Sequence, residues 1–171
     1  MAAVLSSCLG NDDDSFDYDA WINLNETYYT RMADTIGADG KKVFEKISPV
    51  WVPGVTILAQ WHNDRSVTAD RLVPMDNSTC DVVYECYYVN GTMLDASYKH
   101  YSDSIFKCKP NTNIVGFWAM LTNMHVGDSV TCVIPTNAAY GALSSSGVIP
   151  YSTLIYNMKL KAISAYEVAG K

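Results

Sequence analysis

The chain has 171 residues, 49% of them hydrophobic, and a formal net charge of −6, which suffices for one buried core with an appendage and falls short of two full domains. The acidic excess lies before residue 72, where 11 acidic side chains face 6 basic ones; with no basic stripe to displace counterions from phosphate, no nucleic-acid partner is expected. Pro53, Gly54, Pro135 and Gly147 interrupt the apolar runs, so none reaches the roughly 18 residues of a membrane-crossing helix, and His62, His100, His125 and the five cysteines lack metal-ligand spacing, so no metal and no cofactor is expected.

Residues 9 to about 15 read as a tether, with five aspartates between Asp12 and Asp19 opposing compaction. From Asp17 or Asp19, either a suitable N-cap, Trp21, Leu24, Tyr28 and Arg31-Met32 fall at helical spacing, and Gly37 supplies a stop. This amphipathic helix is expected to pack on its own domain. Lys41 to Ile47 reads as a second short helix, and Val50 to Trp61, rich in β-branched and aromatic residues around Pro53-Gly54, as a strand pair or a bulged strand. From Leu72 onward strands alternate with turn signals. Cys80 to Val89 alternates with Cys80, Val82, Tyr84 and Cys86 on one face, and Asn90-Gly91 closes it with a turn. Gly116 to Met124 reads as a short helix, Ser129 to Ile134 as a strand and Ser152 to Ile163 as the last strand. Strands with one helix among them predict an α+β domain, an antiparallel sheet folded around a helix. Cys80 and Cys86, six residues apart on one extended strand, cannot bridge each other, Cys132 reads as core, and no disulfide is assigned.

Three segments resemble the FKBP-type peptidyl-prolyl cis-trans isomerases in order and separation. Val83-Tyr84 followed by Asn90-Gly91 and Met93-Leu94-Asp95-Ala96-Ser97 is similar to the family's strand, turn and Phe-Asp-Ser-Ser element. Ile114-Val115-Gly116-Phe117 leading to Met124 and Val126-Gly127 is similar to its Val-Ile-x-Gly-Trp helix and Met-x-Val-Gly turn. Ile134-Pro135, Ala139-Tyr140-Gly141, Val148-Ile149-Pro150 and Leu154-Ile155-Tyr156 complete the pattern. The resemblance spans about residues 80 to 163 and implies an FKBP-like antiparallel sheet wrapped around a short helix, with an N-terminal helical extension. The chain then divides into a signal remnant with lipobox and acidic tether (1–15), an N-terminal helical extension and strand (16–71) and the FKBP-type domain (72–171).

What the resemblance implies chemically needs no nucleophile. Rotation about an Xaa-Pro bond crosses a barrier of about 18–20 kcal/mol set by amide resonance, with no bond made or broken. A dry, aromatic-lined pocket that prefers the twisted amide is sufficient, and the Ser144-Ser145-Ser146 run lacks a nucleophile frame. Carried over, Tyr84, Asp95 and Tyr140 are the catalytic candidates, with Asp95 meeting Tyr84 or a substrate carbonyl and Tyr140 offering its hydroxyl. Ile114 offers its backbone N–H, Phe117 forms the floor, and Leu94, Ile149 and Tyr156 complete the substrate-binding wall and rim. Three positions depart from the pattern. Phe117 stands where the family has tryptophan, and the distance to Met124 and Gly127 keeps it, rather than Trp118, in register. Leu94 replaces an aromatic, and the wall aromatic expected shortly before Phe106 falls near Ser104. These departures keep open a non-catalytic binding or chaperone module as the alternative.

Val4-Leu5-Ser6-Ser7-Cys8 resembles a bacterial lipobox, which makes Cys8 the lipidation candidate, and the Asp-rich run after it resembles the export tags of Bacteroides-like surface lipoproteins. Only seven residues precede Cys8, without a basic leader. The expectation is a bacterial cell-envelope protein, held at the membrane by a lipid anchor alone, that meets proline-containing segments of unfolded or exported proteins.

Overall fold

The computed structural model describes residues 16–143 and 147–166; the expected tether with Cys8, and the Ser144 to Ser146 run, lie outside them. Asp17 caps the first helix, α1 (Tyr18–Asp34), by accepting a hydrogen bond from the Ala20 N–H at 2.9 Å, which satisfies one of the donors that a helix start leaves over. The helix ends at Thr35, whose extended backbone leads the chain away before Gly37 is reached. Its buried face holds Trp21, Asn25 and Ala33, whereas Leu24, expected on the apolar stripe, is 45% exposed. Asn25 takes the inward position because its amide is engaged on both sides, donating to the Trp21 carbonyl at 2.8 Å and accepting from the Thr153 N–H at 2.7 Å. A buried polar side chain is tolerated where such partners exist.

The helix expected over Lys41 to Ile47 does not form. Ile36 and Lys42 make an isolated bridge, and Glu45–Ile47 is strand β1, paired antiparallel with β2 (Ile57–Trp61). So short a segment cannot sustain a helix alone, while β2 offers it a ladder of backbone partners. Of the stretch from Val50 to Trp61 only β2 is strand, since Pro53-Gly54 turns with Gly54 at φ 84°.

The remaining elements are β3 (Thr79–Tyr88), β4 (Met93–Ala96), β5 (Phe106–Cys108), the two-turn helix α2 (Val115–Leu121), β6 (Ser129–Ile134) and β7 (Leu154–Ala165), with single 3-10 turns at Ser97–Lys99, Pro110–Thr112 and Thr136–Ala138. The strands form one antiparallel sheet in the order β1-β2-β6-β7-β3-β4, and β5 pairs with the first half of the β3 edge whose second half β4 takes. β3 alternates buried and half-buried residues along its whole length, as its sequence pattern requires of a strand with one covered face. The sheet therefore runs through residue 72: β1 and β2 belong to the same sheet as the later strands.

The two helices cover opposite faces of the β2–β6 region. Phe117, Met120 and Leu121 of α2 join the main core with Ile57, Ala59, Cys132 and Ile134, while Tyr28, Tyr29, Met32 and Ala33 of α1 pack on Leu58 and Val133, whose side chains alternate to the other side. Gly116 makes the first contact possible, because a Cβ there would collide with the Ile134 side chain. Asp128 holds the turn between α2 and β6. Its buried carboxylate accepts from Asn63 Nδ2 at 3.0 Å, Thr68 Oγ1 at 2.6 Å, Arg65 Nε at 3.2 Å and the His125 N–H at 2.9 Å. Burial alone would raise its pKa, but these donors hold it below the usual carboxylate range. Arg65 also lies over the Trp61 ring at 3.8 Å, so the segment after β2 is tied down by charge and by stacking.

Candidate functional site

A cavity of about 450 Å³ opens where β3, β4, β5, α2 and β7 meet, within the size range of small-ligand sites. Its base is aromatic. Tyr84 on β3, Phe117 on α2 and Tyr156 on β7 are all nearly buried, and their rings meet edge to face or tilted. The centroid distances are 5.3 Å for Phe117–Tyr156, 5.8 Å for Tyr84–Tyr156 and 6.1 Å for Tyr84–Phe117. Strand alternation points Tyr84 inward with Val82 and Cys86. Trp118, one residue along α2, faces elsewhere, as the helical turn of about 100° per residue dictates: its ring lies 3.9 Å from that of Trp51, and its Nε1 donates to Asp76 at 2.7 Å.

The wall carries one carboxylate. Asp95 Oδ2 accepts the Tyr84 hydroxyl proton at 2.7 Å, and Oδ1 accepts from the Ala96 N–H at 2.8 Å and meets His100 Nε2 at 2.7 Å. A register shift explains why Asp95 points here. Cys86 pairs with Asp95 but Tyr87 pairs with Met93, so Leu94 is the extra residue of a β-bulge, a device that re-aims side chains beside sites. Burial pushes the Asp95 carboxyl up, but the Tyr84 hydroxyl, His100 and the Ala96 N–H outweigh it and leave its pKa below the usual value. Tyr84, Tyr140 and Tyr156 are all shifted upward, first by burial; Asp95 adds to the shift of Tyr84, and Cys86 to those of Tyr140 and Tyr156. At neutral pH the site thus presents neutral phenol donors and one anion, with no activated nucleophile. Among the described residues no cluster of three or more His, Cys, Asp or Glu could hold a metal.

Of the residues singled out in the sequence, Tyr84, Asp95, Ile114, Phe117, Tyr140 and Tyr156 line this cavity together. Leu94 lines an adjoining cavity of about 320 Å³ that shares Asp95, Tyr140 and Tyr156 and adds His100 and Val148. Ile149 lines neither; its N–H donates to the Tyr88 hydroxyl at 3.0 Å. The wall expected to be lost at Ser104 is present. Ser104 sits in a turn at φ 61°, and Phe106, two residues on, reaches the cavity, 5.5 Å from the Tyr84 ring and 6.3 Å from that of Phe117, with Tyr101 behind it at 6.0 Å. Placing the wall aromatic at Ser104 missed this wall; the β5 alternation of Phe106 with Cys108 would have found it. Thr112 and Asn113, which also line the cavity, carry no sequence signal of their own.

The segment from Val148 to Ser152 is buttressed by α1. Trp21 Nε1 donates to Ser152 Oγ at 3.2 Å, Ser152 Oγ donates to the Ile149 carbonyl at 2.6 Å, and the Trp21 ring meets Tyr88 at 5.6 Å. The helix that reads as an appendage in the sequence therefore supports one side of the cavity.

An antiparallel sheet folded over a two-turn helix, with an aromatic-floored cavity, neutral phenols and one oriented carboxylate, defines an α+β domain with a small-ligand-sized site. Residues 72–161 match the family of FKBP-type peptidyl-prolyl cis-trans isomerases, and the chain belongs to that family. It is 33% identical over 113 residues to the peptidyl-prolyl cis-trans isomerase Mip of Coxiella burnetii, covering 65% of this chain and 48% of that protein. It is 31% identical over 87 residues to the FKBP-type isomerase FkpA of Escherichia coli K12, covering 51% of this chain and 32% of that one. The chain thus spans half or less of the length of these relatives. Among solved structures, FkpA from Escherichia coli superposes with a TM-score of 0.68 at 22% identity over 88% of this chain and 63% of that one. A peptidyl-prolyl isomerase from Pseudomonas syringae superposes with a TM-score of 0.63 at 22% identity over 86% and 96%. At that identity the two structures speak to the fold.

Proposed function

We propose that the protein is a peptidyl-prolyl cis-trans isomerase that seats the proline ring on Phe117 between Tyr84, Phe106 and Tyr156. The observation that carries this reading is the closed aromatic base with the Tyr84–Asp95 hydrogen bond at its wall. A proline amide moved from water into such a site loses the solvation that favours its planar, charge-separated resonance form, which lowers the cost of twisting. Ile114 and Tyr140, at the cavity wall, are assigned to holding the flanking peptide carbonyls while the bond turns. Raised phenol pKa values keep Tyr84 and Tyr140 as donors. Leu94 is assigned to the residue beside the proline.

The substrates are proposed to be proline-containing segments of unfolded or exported proteins, and the place of work a bacterial cell envelope, with Cys8 as the lipid-bearing residue. Support for the bacterial setting comes from the Coxiella and Escherichia relatives and from the lipobox-like Val4 to Cys8. No helix among the described residues is long and apolar enough to cross a membrane. The reading is tested by cis-trans exchange of an Xaa-Pro peptide. Wild type accelerates exchange, and Asp95→Ala and Tyr140→Phe reduce the effect. An exchange rate equal to the uncatalysed one overturns it in favour of binding alone, a reading supported by Leu94 and Phe117 but no longer by a missing wall at Ser104.

A further inference from the structure

We propose that Cys80 and Cys108 form a disulfide that clamps β5, the strand carrying the Phe106 wall, onto β3. The register places them directly opposite each other, Cys80 with Cys108, Asp81 with Lys107 and Val82 with Phe106. Opposed residues of an antiparallel pair share a face and have Cα atoms about 4.5–5.5 Å apart, inside the roughly 4.4–6.8 Å that a disulfide spans. Both side chains are buried in the main core, and each thiol is free in this structure. Their proximity is felt electrostatically: burial first, and then Cys80 itself, raises the Cys108 thiol.

The other buried cysteines are kept apart by the same topology. Cys86 on β3 and Cys132 on β6 both lie opposite Tyr156 of β7, so a whole strand separates them, about 9.5 Å at two strand spacings, beyond disulfide reach. The clamp matters because β5 is a short strand at the sheet edge, paired only with β3 among the described strands. Near Cys108 in the cavity wall stand Phe106, two residues before it, and Asn113, whose amide donates to the Lys109 carbonyl at 2.7 Å.

The chemistry is thiol–disulfide exchange with a small-molecule disulfide such as glutathione disulfide. One cysteine thiolate attacks it, forming a mixed disulfide and releasing one glutathione thiolate, which takes up a proton. The second cysteine thiolate then attacks the mixed disulfide and releases the second glutathione. Two thiols are oxidised, one disulfide is reduced, and the two thiol protons end on glutathione. In the folded protein both thiols are pushed up to about 12, so at neutral pH fewer than about one in 10⁴ is ionised and oxidation through the native state is slow. The bond is expected to form during folding and, once buried, to resist reduction. That an oxidising compartment supplies the disulfide rests on the envelope location proposed above, but the bond itself does not.

The test is refolding of the denatured, reduced full chain with and without glutathione disulfide, followed by non-reducing peptide mass mapping. Expected is a Cys80–Cys108 cross-link about two mass units lighter than the dithiol, with Cys86 and Cys132 still alkylatable. The oxidised chain is expected to melt about 5–15 °C above the reduced one and to bind its proline peptide with a lower KM at unchanged kcat. Cys80→Ala with Cys108→Ala, if it folds, shows no shift with oxidant. A full complement of thiols after refolding, linkage of any other pair, or an unchanged or lowered melting temperature overturns the proposal. Absence of isomerase activity in both forms with the cross-link present counts against the functional reading and leaves the disulfide standing.

Discussion

The floor and the rim of the cavity are built by different means. Tyr84, Phe117 and Tyr156 come from regular elements whose inward-facing residues are packed core, so the floor is as rigid as the fold. The rim comes from Ser97 to Ile105 and Val148 to Thr153, held by single polar contacts such as Trp21 with Ser152, Asn25 with Thr153 and Ile149 with Tyr88. Changing the floor should therefore cost folding and binding together, whereas changing the rim should alter peptide affinity at smaller cost to stability.

Phe117→Ala is the harshest way to break the floor. It empties the centre of the aromatic cluster and should cost about 3–5 kcal/mol in urea unfolding, with peptide turnover lost. Gly116→Ala tests the mount rather than the ring. The new Cβ meets Ile134, and the overpacking should cost about 1–3 kcal/mol, with kcat falling because Phe117 moves. At the rim, Asn25→Ala leaves the Thr153 N–H without its acceptor and should cost about 1–3 kcal/mol. Its signature is a raised KM with kcat nearly kept; equal loss of both would place α1 with the floor. Tyr84→Phe spans the two regions, since it keeps the ring and removes the bond to Asp95. Stability should fall by about 0.5–1.5 kcal/mol, and kcat/KM should fall without unfolding.

The smallest effect is that of pH on Asp95. Its carboxyl is held below the usual range, so the unfolded chain binds this proton more readily than the folded one, and stability rises with pH across that interval. The contribution is complete above the ordinary carboxylate pKa and is lost as the pH falls through the lower native value. The stability gap between wild type and Asp95→Asn, read by urea unfolding, should therefore narrow on acidification. A constant gap would mean that the Tyr84 and His100 contacts do not depend on the charge.

Much of the floor was legible because a strand's period of two and a helix's turn of 100° place side chains without reference to the rest of the molecule. The inward direction of Tyr84 follows from the strand period, whereas Phe117 was put on the floor by the family resemblance, whose spacing to Met124 and Gly127 chose it over Trp118. The rim was less legible. Phe106 was missed because the loop that leads into β5 is not periodic, so no spacing rule fixes which residue it delivers to the wall. Lys41 to Ile47 failed as a helix because a local pattern cannot register that β2 lies ready to pair with it. Leu24 and Asn25 exchanged places because Asn25 finds its acceptor and donor in Trp21 and in Thr153, far along the chain.

By itself, then, the sequence determined β2, β3, β6 and β7, the two-turn helix, the family pattern and most of the residues that meet at the cavity, since each depends on local periodicity or on motifs of fixed spacing. Only the tertiary structure decided that α1 supports the rim, that Phe106 closes the wall, that the bulge at Leu94 aims Asp95 at Tyr84, and that Cys80 faces Cys108. All four depend on which distant segments become neighbours, and that is settled by the joint burial of apolar surface and the pairing of backbone groups across the whole sheet rather than by any one stretch of chain.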